Sequence, residues 1–529
     1  MSETDVDIVV VGAGPVGLLL ACQVVRHGAS VRVLEARSAP SSHSKASVVW
    51  PRAAEHLRAV GALDRFLAES EVLNGMTVEG YGEQLAHLDL RTGTGPHGAA
   101  APPPPGMLIG QEVTERLLEE RLEELGVRVE RGRRVTGVAA LAADGVAVEV
   151  EGSAPVRARF AVGCDGARSV VREALGIPFE GERYERHKLV QADARLRAGF
   201  PLAGGEARFW LRPDGFLGAL PLPAGTARLF ALVPDPDPSD DRDPTLAEMQ
   251  ALLREITGDE VLELSDARWL SHTRFQHRRA ARFADGPCFL AGDAARIVPP
   301  ILGQGMNTGM QDASNLGWKL AYVARGRARP ELLDSYAAER EAVADVVIAR
   351  TDSAYRHLSD ASGLQQALAR TLGPRLAATD TLQQRVRDQL FGLAYAYPDA
   401  STAVGEGGGE RAPDAVAVDR ELRPTNVHAL LEDGAYTALA FRGDQPGPDG
   451  AAALRARPGL RVVEVLRRPP SPGDLHRDVL ADRDGLVHDR FSAHAGDLVL
   501  VRPDGYVALR TRHPAAVDDH LDTLLGAAG

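Results

Sequence analysis

Three glycines and an acid near the N-terminus have the types and spacing needed to hold a dinucleotide. GAGPVG runs from Gly12 through Gly14, Pro15 and Val16 to Gly17 and fits G-x-G-x-x-G. In that pattern the first glycine makes a tight turn, the second lets phosphate reach backbone N–H groups, and the third lets helix and strand pack closely. Glu35, with Ala36 beside it, lies roughly 20 residues further on, where a carboxylate can accept a ribose hydroxyl. An acid at that place disfavours a 2′-phosphate, so the ligand of this half is FAD or NAD rather than NADP.

A second constellation is FLAGDAARIVPPILGQGMN. An apolar strand ends in Gly292 and Asp293, and Pro299, Pro300, Gly303 and Gly305 form a rigid loop leading into a helix at Met306 and Asn307. The Asp293 carboxylate can hold a ribityl or ribose hydroxyl, and glycines opening a helix turn N–H groups toward an electron-rich ligand edge. Asp293 as a simple helix cap is the alternative. A third, CDGARSVVREALG, puts Asp165 and Gly166 at a strand end with Arg168 and Arg172 just beyond. The arginines either meet a pyrophosphate or belong to a capped turn with solvated charges.

The elements that must position these groups are legible around them. Asp7 to Val11 is a short apolar run suited to a buried parallel strand, Val16 to His27 has helical length, and Gly28 stands where a helix C-cap is expected. Gln111 to Leu125 has helical spacing. Between about Ile177 and Arg282 the pattern changes to short strands punctuated by Pro and Gly, with one helix near Leu246 to Ile256. The chain then returns to strand, loop and long helix. PDASTAVGEGGGERAPDA lacks any apolar period and reads as a linker; beyond it TALAF, LRVVEVL, DLVLVRPDG and YVALR read as strands and Ala515 to Leu525 as a closing helix. The expected fold is α/β: a Rossmann-like nucleotide-binding domain at 1–176 and 283–398, an inserted β-sheet domain at 177–282 expected to hold the substrate, and a C-terminal α/β domain at 410–529.

Composition narrows the function further. The 529 residues carry a net charge of −13, 44% hydrophobic and 25% charged residues, and three cysteines. That is globular usage without a disulfide framework, and an acidic balance argues against a nucleic-acid binder. The longest apolar run, Val6 to Val25, is broken by glycines and preceded by acids, so neither a signal peptide nor a membrane span is expected, and a cytoplasmic location fits. The histidines have no ligand spacing, and no metal is expected.

In this order and spacing, the three motifs resemble those of the class A flavoprotein aromatic hydroxylases, the group of para-hydroxybenzoate and phenol hydroxylase, over about Asp5 to Arg350. The tail, with RAPDA and LVLVRPDGYVALR, is similar to the thioredoxin-like C-terminal domain of the branch that oxidises aromatic polyketides. The resemblance implies FAD on Gly12, Gly14, Gly17 and Glu35, with Lys45, Gln111, Val135, Asp165, Gly292, Asp293, Pro300, Gly303, Gly305, Met306 and Asn307 as further cofactor contacts. It also implies NADPH or NADH as reductant, O2 as co-substrate, and hydroxylation of a phenolic polyketide or similar molecule through a C4a-hydroperoxyflavin, by a monomer or homodimer. Four positions depart from the family's pattern: Lys45 where Arg is usual, Arg296 where His is common, and Ile301 and Leu302 where Thr and Gly are common. The tail has no cysteine, so it does no thiol redox chemistry. Tyr184, Arg208, Phe209, Trp210 and Phe216 are expected to line the substrate pocket, with core packing as the alternative, and no substrate base is marked. Other flavin chemistry, a dehydrogenase or Baeyer-Villiger reaction, or a flavin-fold protein that presents an intermediate, stays open; the WxWxIP halogenase signature is absent.

Overall fold

The computed structural model of the protein describes residues 5–41, 46–80, 82–92, 103–141, 145–197, 204–359, 379–397, 401–442, 451–469 and 478–525. The apolar run VDIVVV forms strand β1 (Val6–Val11), which is central in its sheet and buried along nearly all its length. Helix α1 (Pro15–Arg26) follows, opened by a proline whose missing N–H costs nothing in the first turn, and strand β2 (Val31–Glu35) returns parallel to β1. On the other side of β1 lies Val156–Gly163, also parallel, and beyond it Cys288–Leu290. Val11, Gly163 and Leu290 end these three strands in register, so the three sequence motifs leave the sheet at one edge.

The helix Gln304–Ala324 lies against α1, with nearly all its residues buried. Its small residues permit the approach: a Cβ on Gly309 would come within 2.7 Å of Val16 Cγ2, and one on Gly317 within 2.6 Å of Gln23 Cβ. Gln23 Nε2 donates to Ser314 Oγ at 3.3 Å across the same contact.

A second eight-stranded sheet runs in the order Arg296–Ile297, Glu263–Ala280, Phe179–Arg197, Thr226–Pro234, Gly215–Leu222, Glu206–Arg212, Gly75–Gly80, Glu83–Asp89. Its centre comes from the expected insertion, but three of its strands do not. Gly75–Gly80 pairs parallel with Glu206–Arg212, and Arg296–Ile297 pairs antiparallel with the end of Glu263–Ala280. Helix Leu246–Thr257, opened by a Thr245/Glu248 capping box, covers one face of this sheet. The other face packs toward Ile301.

The C-terminal sheet orders Pro424–Asn426, Val416–Val418, Asp478–Ala481, Leu460–Leu466, Tyr436–Arg442, Leu498–Val501 and Val507–Thr511. Three parallel strands continue into an antiparallel pair, with helix Pro514–Leu525 following, in a thioredoxin-like arrangement. The Gly-rich stretch expected as a free linker is instead laid along this domain: Val404 N donates to Ala508 O at 2.8 Å, and Gly409 N donates to Val507 O at 2.8 Å.

Nor is the domain an appendage. Tyr436, Ala438, Leu500 and Leu521 share one continuous core with Val10, Leu18 and Trp318. Polar groups are sealed in the same junction. Arg502 Nη1 donates to Glu339 Oε1 at 2.6 Å, and its Nη2 donates to Glu339 Oε2 at 2.9 Å and Asp504 Oδ2 at 2.5 Å. Lys319 Nζ donates to Glu339 Oε2 at 2.8 Å. Two positive and two negative side chains are thus buried together, each at most 1% exposed. Burial pulls the Lys319 ammonium down to about 8. Burial also opposes the Glu339 carboxylate, but Arg502 and Lys319 outweigh it and hold the group well below the usual carboxylate range.

Candidate functional site

The turn between β1 and α1 assigns each glycine its own task. Gly12 has φ +103°, and a Cβ there would sit 2.6 Å from Cys164 O; a Cβ on Gly17 would strike Gly12 O. A Cβ on Gly14 would meet nothing within 4 Å. The first and third glycines therefore close the fold, and the second leaves a face open to a ligand. Helix α1 has no side-chain cap, so its first N–H groups point to that open side.

Glu35 ends β2 and is nearly buried. Its Oε2 accepts from Ala13 N at 2.9 Å and its Oε1 from Arg37 N at 2.9 Å. Burial raises its pKa, but these donors and the Arg37 guanidinium more than offset that, so the carboxylate stays charged. The segment leading to Val135 lies alongside: Arg133 N donates to Glu35 O at 2.9 Å. Gln111 opens its helix, accepts from Ala46 N at 3.2 Å and donates to Glu115 Oε1 at 2.8 Å. Sequence reasoning missed Glu115, a buried acid whose pKa burial raises; its place one helical turn after Gln111 was the available signal. Lys45 lies outside the described residues.

The second motif reaches the first through Val16. A Cβ on Gly292 would come within 3.0 Å of Val16 Cγ2. Asp293 and Pro300 are exposed at this edge, whereas Asn307 is buried. Asn307 Nδ2 donates to Val48 O at 2.9 Å and Gly303 O at 2.7 Å, and its Oδ1 accepts from Trp50 N at 2.7 Å. Asn307 thus clamps the loop to Val48–Trp50, and Trp50 Nε1 donates to Leu302 O at 2.9 Å. Leu302 itself has φ +67° and is 42% exposed, a left-handed conformation that costs a non-glycine residue about 1–2 kcal/mol. Gly303 follows at φ +63°, and the helix beyond it carries no side-chain cap, leaving Gly305 and Met306 in a first turn with free N–H groups.

The third motif is corrected in part. Asp165 Oδ2 accepts from Val170 N at 2.7 Å, a capping role, while Oδ1 is buried without a partner among the described residues and burial raises the group's pKa. Arg172 is not available to a pyrophosphate. Its Nη1 donates to Ala294 O at 3.1 Å, its Nη2 to Ala167 O at 3.0 Å, and the guanidinium lies 3.9 Å from the centre of the Phe179 ring. It ties the second and third motifs together. Arg168 is exposed.

The expected pocket residues divide between two faces. Phe209 and Phe216 stand with Phe230 in an aromatic group, ring centroids 5.6–6.3 Å apart, on the face toward Ile301 and Tyr355. Tyr184 stacks on Tyr355 at 4.2 Å, donates its hydroxyl to Asp352, and meets His277 Nδ1 at 2.8 Å. Trp210 and Arg208 turn the other way. Trp210 is 8% exposed under helix Leu246–Thr257, and both donate to Glu79, Trp210 Nε1 at 2.9 Å and Arg208 Nη1 at 2.6 Å. Strand alternation sends neighbours to opposite faces, so these two do not line the face shared with Phe209.

Residues 5–351 match the family described as FAD binding domain, and residues 406–528 the one described as aromatic-ring hydroxylase, C-terminal. The chain belongs to the FAD-dependent aromatic-ring hydroxylases. It is 34% identical to a 12-dehydrotetracycline 5-monooxygenase/anhydrotetracycline 6-monooxygenase of Streptomyces rimosus, with 98% of each chain covered. It is 31% identical to the dialkyldecalin synthase of Streptomyces rugosporus, with 100% of each covered. Among solved structures it is similar to a ternary complex of aklavinone-11 hydroxylase with FAD and aklavinone, at TM-score 0.79 and 25% identity, covering 99% of this chain and 100% of that one. The hydroxylase is therefore a flavin monooxygenase with FAD as cofactor and, as is typical of the family, NAD(P)H as reductant. Among the described residues no helix is long and apolar enough to cross a membrane, and no group of three His, Cys, Asp or Glu could hold a metal.

Proposed function

We propose that this hydroxylase oxidises a flat phenolic polycycle of polyketide type, using O2, between the 292–307 loop and the Phe209–Phe216–Phe230 face. The observation that carries the reading is the meeting of that aromatic face with Ile301 of the loop. When bound, FAD supplies two-electron reduction by NAD(P)H and delivery of one oxygen atom to the substrate. The chain's own groups bind and orient. Gly12, Gly14 and Gly17 with the open N-terminus of α1 receive the pyrophosphate, Glu35 and Gln111 take the ADP half with Val135 beside them, and Asp293 takes a ribityl hydroxyl. Gly303, Gly305, Met306 and Asn307 shape the edge that meets the ring. The aromatic face excludes water and stacks on the substrate. We read 177–282, joined by the strands at 75–89, as the substrate-holding unit and the C-terminal domain as packing support.

A panel of polycyclic phenols, scored for stimulated NADPH oxidation and for incorporation of labelled O2 by mass spectrometry, tests this substrate class. Stimulated oxidation with one labelled oxygen in the product is expected; a panel in which no member stimulates NADPH oxidation refutes it.

A further inference from the structure

Three charged side chains are sealed together behind the 292–307 loop. Asp312 Oδ2 accepts from Arg296 Nη1 at 2.6 Å and from Gly292 N at 3.1 Å, and its Oδ1 accepts from Arg340 Nε at 2.6 Å. Arg296 is 3% exposed, and the other two are fully buried. Arg340 is satisfied further by the Tyr397 hydroxyl at 2.9 Å and Thr308 O at 3.2 Å. Arg296 is not: its Nη2 is buried with no partner among the described residues. No second carboxylate hydrogen-bonds either guanidinium among those residues, and burial pushes the neighbouring Tyr336 and Tyr395 hydroxyls up, so both stay neutral. The cluster holds two positive charges against one negative.

The fold does not require the surplus. Arg340 and the Gly292 N–H already complement Asp312, whereas a second buried guanidinium with an idle N–H is unfavourable by itself. A buried charge of this kind is screened little by solvent or salt, so it acts on whatever lies across the loop. Resting on the reading that this loop holds FAD, we propose that Arg296 is an electrostatic residue that raises the reduction potential of the bound cofactor. Hydride transfer from reduced nicotinamide moves two electrons and one proton, leaving oxidised nicotinamide and one added negative charge on the acceptor until a solvent proton follows. A fixed positive charge behind the loop favours that state.

The test is the midpoint potential of the FAD-loaded protein, measured by dye equilibration for the wild type and for Arg296→Gln, Arg296→Met and Arg296→Lys. The Gln and Met variants are expected to be more negative and the Lys variant close to wild type, with FAD affinity unchanged across the series. Neutral variants that share the wild-type potential overturn the proposal alone, and Met keeps that decision available if Gln does not fold. A wild-type chain that takes up no FAD overturns the reading of the site and this proposal with it.

Discussion

Replacing Arg502 by Met tests how the C-terminal domain is held. The side chain donates to Glu339, Asp504 and the Thr402 hydroxyl, all fully or almost fully buried. Methionine fills similar space but leaves Glu339 and Asp504 facing Lys319 alone, a net negative charge in a dry junction. Among the described residues the Asp504 carboxylate would retain Asn315 Nδ2 at 3.3 Å. Removing one partner from a buried ionic group costs about 3–5 kcal/mol, a large share of a typical folding free energy of about 5–15 kcal/mol. Arg502→Met with Asp504→Asn restores neutrality and should be less destabilised than the sum of the two single changes, by about 0.5–3 kcal/mol. Urea unfolding followed by tryptophan fluorescence reads this directly, because the Arg502 guanidinium lies 5.7 Å from the Trp318 ring centre. A cost below about 1 kcal/mol for the single variant, or strict additivity in the double, would refute the reasoning.

Other expectations follow from the same contacts. Trp210→Ala should lose about 3–5 kcal/mol of stability through a cavity under helix Leu246–Thr257 while the surviving enzyme keeps normal substrate stimulation; a stable variant without stimulation would return Trp210 to the pocket. Leu302→Gly should unfold at the same or a slightly higher denaturant concentration, because relief of about 1–2 kcal/mol of backbone strain outweighs the extra entropy of glycine; a clear loss would show that the leucine side chain holds the loop. Asp293→Ala should weaken FAD binding by about 1.5–3 kcal/mol in a cofactor titration, and unchanged affinity would leave Asp293 a simple cap. Glu55, buried in helix Pro51–Ala59, accepts from Arg52 and Arg411, which outweigh its burial; because it and Glu339 are held below the carboxylate range in the folded chain, their contribution is present above the unfolded value of about 4.3 and is lost as pH falls below it. Acid unfolding monitored by circular dichroism should show this, and a chain whose stability stays flat below that pH contradicts it.

The parts legible in the sequence were those whose physics is local. GAGPVG, Glu35 and the 292–307 motif identify themselves because a turn, a helix start and a strand end lie within a few residues of one another. The aromatic run RFWLRPDGF shows its strand but not its inner face. Alternation separates Phe209 from Trp210, and only the helix packed over Trp210 decides which of them is core. The glycine-rich segment at 401–412 has linker composition, yet hydrogen bonds to a strand a hundred residues later hold it. Asp312, Lys319, Glu339 and Arg502 were invisible for the same reason: each is an ordinary charge until distant chain segments enclose it. For Asp312 and Lys319 the one local trace is their place inside a helix, Gln304–Ala324, that is otherwise without charge.

The junction around Arg502 has a consequence for how the molecule is made. Arg502 is synthesised 163 residues after Glu339, the acid it completes. A nascent chain that stops short of the C-terminal domain presents Glu339 to Lys319 and leaves Trp318 and Tyr322 without Tyr436 and the strands that enclose them. The nucleotide-binding half, though its strands precede the C-terminal domain in the chain, lacks part of its enclosing core until that domain is made. Assembly from the N-terminal end, the usual order for multidomain chains, is interrupted here until the C-terminal strands arrive.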